Sequence, residues 1–168
     1  MMTPETQTAR EVVTEYFDAL KEQDLPRAVA TWKPGAVDRL YGFADMVAPD
    51  GIRNYFAELF GAVPDFRLEV RSMVAEGDQV AVHWRASGTF NGETKFQWFM
   101  PNGRPIELEG LDLLTVADGK IVSNYAYTNG MEFARQVGAM PPQDSGAENA
   151  MAAVFNAKTA LEKRLRRG

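Results

Sequence analysis

The sequence has no cysteine and a single histidine, His83. The first absence excludes disulfides, thiolate metal sites and a cysteine nucleophile. The second excludes a histidine-rich metal centre, and the carboxylates show no metal-ligand spacing, so no metal is expected. Positive charge is in the minority, with a formal net charge of −5, and nothing points to a phosphate-tracking surface or a nucleic-acid partner. The one dense basic run, Lys163-Arg164-Leu165-Arg166-Arg167, reads as a solvated helix end. No apolar run is long enough to span a bilayer. Met1 to Arg10 are polar and lack the apolar centre of a signal peptide. The expectation is a cytoplasmic protein with no membrane partner.

What is present is core material: 45% apolar against 24% charged residues over 168 positions, enough for one globular domain. Thr8 to Lys21 has Val12, Val13, Tyr16, Phe17 and Leu20 on one helical stripe. A short helix is expected over Leu25 to Lys33, capped by Asp24 and ended by Pro34-Gly35. A third is expected over Pro49 to Ala62, with Ile52, Tyr55, Phe56, Leu59 and Phe60 inward. Tyr41 to Asp50 shows little regular pattern. The period then shortens to two. Strands are expected over Phe66 to Ala75, Val80 to Phe90, Phe96 to Met100, Pro105 to Val116 and Lys120 to Thr128, with a hairpin signal at Asn91-Gly92. A short helix over Met131 to Val137 follows. Helices followed by antiparallel strands define the α+β class. Beyond the linker-like Pro141 to Gly146, Ser145 and Glu148 have capping-box spacing ahead of a last helix. Its apolar stripe, Met151, Val154, Phe155, Leu161 and Leu165, suits docking on its own domain, over a pocket mouth, or on a second subunit. Residues 1–142 read as the domain and 143–168 as a helical extension.

Several strings, in order, resemble the SnoaL-like polyketide cyclases of the nuclear transport factor 2-like, or ketosteroid isomerase-like, superfamily. They include Val13-Thr14-Glu15-Tyr16-Phe17-Asp18-Ala19-Leu20, Gly51-Ile52-Arg53-Asn54-Tyr55-Phe56 and Val80-Ala81-Val82-His83-Trp84. Further on come Gly88-Thr89-Phe90, Pro101-Asn102-Gly103-Arg104-Pro105, Asp118-Gly119-Lys120-Ile121-Val122 and Phe133-Ala134-Arg135-Gln136-Val137-Gly138. The resemblance implies a cone-shaped barrel of a curved antiparallel β-sheet packed on three N-terminal helices, with the C-terminal helix as an addition. It also implies a homodimer, no cofactor, and a hydrophobic pocket for a small apolar or carbonyl-containing ligand. The implied chemistry is that of a lyase or isomerase working through an enolate, which needs a base and oxyanion donors. A non-catalytic binding protein and a dimeric adaptor are the alternatives the scaffold leaves open.

Asp112 stands in the otherwise apolar Gly110-Leu111-Asp112-Leu113-Leu114, where lost hydration raises a carboxyl pKa. Its segment resembles the one in which ketosteroid isomerases carry a protonated oxyanion-donating aspartic acid. Tyr16 occupies the place of that family's oxyanion tyrosine. Asn129, in Tyr127-Thr128-Asn129, stands where SnoaL-like cyclases carry their acid/base aspartate; an amide there orients substrate or caps the next helix. The region of the isomerase base, Val37 to Tyr41, offers Asp38, displaced from the matching position near Leu40. His83, opposite Val82 and Trp84 in alternation, is expected on the outer face. Trp32, Tyr41, Phe56, Phe60, Trp84, Trp98 and Tyr127 are the candidate pocket lining.

Overall fold

A computed structural model describes residues 7–166. Arg167 of the basic run and the first six residues of the polar N-terminal stretch lie outside the described residues.

Helix α1 (Ala9–Lys21) starts on a complete capping box between Thr8 and Glu11 and buries Val12, Val13, Tyr16, Phe17, Ala19 and Leu20. Each large apolar side chain fully buried in this way stabilises the fold by roughly 1.5–3 kcal/mol. Helix α2 (Leu25–Ala30) is capped by Asp24, as its sequence signals, but stops earlier than expected. Lys33, Pro34 and Gly35 belong to strand β1 (Trp32–Tyr41), which forms a hairpin with β2 (Ala44–Val47). The stretch from Tyr41 that looks patternless therefore closes a sheet edge. Proline and glycine near the strand start hide it, because both weaken the strand signature in sequence. Helix α3 (Asp50–Ala62) follows, then β3 (Arg67–Glu76), β4 (Gln79–Phe90), β5 (Arg104–Ala117) and β6 (Lys120–Thr128).

The strands form one open sheet in the order β2-β1-β6-β5-β4-β3. It is not wholly antiparallel: β1 runs parallel to β6. Register shifts within β3–β4, β5–β6 and β1–β6 bend the sheet, as bulges do. Its concave face packs on α1, α2 and α3, and the core lies between them, with Val80, Val82, Leu114 and Ile121 fully buried. The segment Phe96 to Met100 is not a strand. Phe96 and Phe99 make one isolated bridge around a tight turn, with Gln97 at φ 48° and Trp98 at φ 71°. The link between β4 and β5 is thus a long loop rather than a two-residue hairpin at Asn91-Gly92. Gly92 is needed for another reason: a Cβ there would sit 1.9 Å from the Gly61 carbonyl oxygen.

Helix α4 (Gly130–Gln136) ends at Gly138, φ 80°. Helix α5 (Gly146–Leu165) is capped by the Ser145 hydroxyl, which accepts from the Glu148 amide. Arg135 of α4 pairs with Glu148 at 2.5 Å. No residue of α5 is buried, and Val154 and Phe155 are 71% and 67% exposed.

Candidate functional site

Between the concave face and the helices lies a cavity of about 90 Å³. Its walls are aromatic and aliphatic, including Phe17, Phe43, Phe56, Phe96, Leu108 and Phe133, and four ionisable groups break the apolar surface: Tyr16, Asp38, Tyr55 and Asp112. Among the described residues, no lysine, arginine or histidine lines it. Among the described residues, no three acidic or histidine side chains converge as a metal ligand set.

Strand geometry explains how two carboxylates come to face one space. In the β1–β6 register Asp38 lies directly opposite Asn124. In the β5–β6 register Asn124 is opposite Leu114, and Asp112 is two residues along on the same face. The Asn124 Nδ2 donates to Asp38 Oδ1 at 3.0 Å and to Asp112 Oδ2 at 2.8 Å. Trp84 Nε1 donates to Asp112 Oδ1 at 2.8 Å. That indole reaches its partner because position 110 is glycine: a Cβ there would lie 2.1 Å from Trp84 Cζ2.

Burial pushes the Asp38 carboxyl up to about 8, with the Asp112 charge adding to the rise and the Asn124 donor opposing it. Burial also raises Asp112, to about 6, against the two donors from Trp84 and Asn124. Two donors against one favour the negative charge on Asp112 and the proton on Asp38. Tyr16 stays a neutral phenol, its pKa pushed well above the usual value by burial and by the two carboxylates. The Trp32 indole lies edge-on to it, with centroids 5.6 Å apart. Its N–H is close enough to favour the phenolate slightly, yet finds no partner in hydrogen-bonding geometry. Tyr55 is raised in the same way as Tyr16.

The candidate residues separate cleanly. Tyr16, Asp112, Phe56 and Trp84 line the cavity. Trp32 is buried beneath Tyr16, and Phe60 packs between Phe56 and Phe66 in the core; neither lines it. Tyr41 and Tyr127 stack on each other at 4.8 Å on the outer face of the sheet. Trp98, at the tip of the tight turn, is 84% exposed. Asn129 is exposed and caps α4, its Oδ1 accepting from the Glu132 amide at 3.0 Å, so it is not part of the cavity. His83 lies on the outer face, 3.5 Å from Glu109.

Asp38 belongs to the site although its strand is not legible in the sequence. Asn124 is the site residue that the sequence pattern does not single out. Its one signal, a polar residue inside a strand, is cancelled by parity. Counting from Ile121, an apolar residue that points inward, strict alternation turns Asn124 outward. An irregularity between Ile121 and Ser123 in the pairing with β5 reverses that parity, bringing Asn124, Ala126 and Thr128 in and sending Tyr125 and Tyr127 out.

Comparison with known proteins places this geometry. The family model of SnoaL-like polyketide cyclases matches residues 10–137. Among solved structures, AclR of Streptomyces galilaeus, provisionally described as a hydroxylase, is similar at TM-score 0.68 and 22% identity, covering 93% of this chain and 95% of its own. A SnoaL-like polyketide cyclase, also provisionally assigned, from Jannaschia sp. CCS1 gives TM-score 0.70 and 22% identity over 84% of this chain and 99% of its own. IdmH of Streptomyces antibioticus, provisionally a polyketide cyclase, gives 0.64 and 24% over 79% and 99%. No curated protein matches by sequence.

Proposed function

We propose that this chain, which belongs to the SnoaL-like polyketide cyclase family, is a cofactor-independent lyase or isomerase that moves a proton beside a carbonyl group of a small, neutral, largely apolar ligand. The observation that carries this reading is the convergence of Tyr16, Asp38 and Asp112 on one apolar cavity, the two carboxylates joined through Asn124. Ionised Asp112 supplies the base. It removes a proton from the carbon next to the carbonyl, and the C–H electron pair moves into a C=C bond as the carbonyl becomes an enolate. Tyr16 and protonated Asp38 donate hydrogen bonds to the enolate oxygen, in surroundings where such donors are worth far more than in water. The proton on Asp112 then either returns to a different carbon of a conjugated enolate, or, where the enolate carbon attacks a second carbonyl and closes a ring, passes to the alkoxide formed from that carbonyl. A wall without cations suits an uncharged substrate, since an anion would face the Asp112 charge unpaired.

The test is solvent deuterium exchange of α-protons in a panel of cyclic ketones and 1,3-diketones, followed by NMR. The expected result is acceleration by the native protein, a loss of about 10²–10⁴-fold in Asp112→Asn and of about 10²-fold in Tyr16→Phe. A ligand that binds in the cavity without exchange in any variant would replace this reading with the second one, a non-catalytic binding protein. That second reading draws on Asp112 having both oxygens already occupied by donors. Either form is proposed to act as a homodimer, which the exposed apolar residues of α5 and of the outer sheet face support.

A further inference from the structure

We infer that Asn124 is a positioning residue: its single amide nitrogen, donating to both carboxylates, ties Asp38 and Asp112 into one unit that holds one proton and keeps the other member ionised toward the cavity. Three observations carry this. The bridge is nearly symmetric, at 3.0 and 2.8 Å, and Asn124 is 1% exposed. Among the described residues, no positive charge faces the pair. The titratable neighbours are Tyr16 from α1, Tyr55 from α3 and Asp45 from β2, none a cation, so neutral N–H donors alone compensate the buried charge. Finally, the Asn124 Oδ1 is buried without a donor. An amide oriented by ordinary satisfaction would not leave its acceptor orphaned. This one faces its nitrogen to the carboxylates because the reversed amide would set an oxygen against an anion.

An amide also suits the task because it does not titrate. A histidine or lysine in its place would pair with one carboxylate as a cation and strip the proton from the other. Asn124 donates at every pH and lets the pair settle its own proton. The catalytic meaning of this rests on the proton-transfer reading above; the titration itself does not.

The experiment is a 13C NMR titration of the aspartate carboxyls in native protein and in Asn124→Leu, with the exchange assay run alongside over the same pH range. In native protein one buried carboxyl is ionised at pH 7 and the other is not. In Asn124→Leu the ionised member loses a donor, so its ionised fraction at pH 7 falls and the lower midpoint rises by about one unit or more. The acid limb of the exchange profile then moves up equally, a loss of about tenfold at pH 5 for each pH unit it moves that shrinks toward neutral pH and recovers at alkaline pH. If Asn124→Leu does not fold, Asn124→Thr, which keeps one hydroxyl donor, gives a smaller shift in the same direction. Unchanged carboxyl midpoints in a folded variant overturn the inference, as does a loss of exchange equal at all pH values. Absence of exchange in native protein overturns the proton-transfer reading only, and the NMR titration still decides the role of Asn124.

Discussion

The two faces of the one sheet treat charge in opposite ways. On the outer face Arg85 pairs with Glu107 and His83 sits beside Glu109, all in contact with solvent, among the exposed Tyr41, Leu111, Tyr125 and Tyr127. Water does most of the solvation there, and such pairs contribute little. On the inner face, one side chain away through the pleat, Asp38 and Asp112 have no cation beside them among the described residues and are held by amide and indole N–H groups. Burial there moves their pKa values into the range where proton transfer at neutral pH is efficient. A carboxylate is a solvated surface charge on one face and a chemical group on the other, and the difference is desolvation.

The largest effect that separates the faces is the pH dependence of stability. Asp38 is raised to about 8 in the fold from an ordinary value of 3.8. The folded chain therefore holds this proton more tightly than the unfolded one. Its stabilising contribution is full below the unfolded value and is lost as pH rises toward 8. Glu11, Glu15, Asp65 and Glu148 are lowered instead, so their contributions are lost in acid, outside this window. Urea unfolding between pH 6 and 8.5 is expected to show native stability falling by about 3 kcal/mol and Asp38→Asn nearly flat. An equal slope in both would remove the inner face from the comparison.

A smaller effect follows from Gly110→Ala. The added methyl meets Trp84, so the indole shifts and its bond to Asp112 weakens. A loss of about 1–3 kcal/mol is expected in denaturant unfolding, with the Asp112 midpoint rising as its donor is withdrawn; a neutral substitution would mean that the indole position is not fixed by the glycine. The smallest effect belongs to the outer face. A double-mutant cycle on Arg85 and Glu107 is expected to give a coupling below about 1 kcal/mol, with α-proton exchange unchanged. A larger coupling, or lost exchange, would join two faces that desolvation otherwise keeps apart.

How much of this the sequence reveals depends on parity and on local signals. The helix stripe of α1 and the caps at Asp24 and Ser145 are local, and all stand in the structure. Asp112 is legible because a lone carboxylate among the apolar residues of a strand marks a polar spot in the core, and the inward parity of β5 is undisturbed around it. Asp38 and Asn124 are not, for a shared reason. The strand of Asp38 opens with Lys33-Pro34-Gly35, and that of Asn124 changes parity after Ile121, so non-local pairing decides which way each side chain faces. Tyr41 and Tyr127 fail by the same parity, and Trp98 fails because a tight turn with two residues at positive φ replaces a strand. Local rules thus find the elements and one of the two carboxylates, while the amide that joins them is visible only once the register is known.

Stabilisation of an oxyanion next to a group that has just taken up a proton is the core of the proposed reaction. It is tested most directly by titrating native protein, Asp112→Asn and the double variant Asp112→Asn/Tyr16→Phe with 4-nitrophenol, whose phenolate absorbs at longer wavelength than the phenol. Asp112→Asn imitates the protonated base and removes the negative charge beside the bound oxygen. The predicted result is tighter phenolate binding in Asp112→Asn than in native protein, with part of the gain reversed when the Tyr16 hydroxyl is removed. Phenolate binding that is weaker in Asp112→Asn than in native protein, or indifferent to Tyr16, would contradict it.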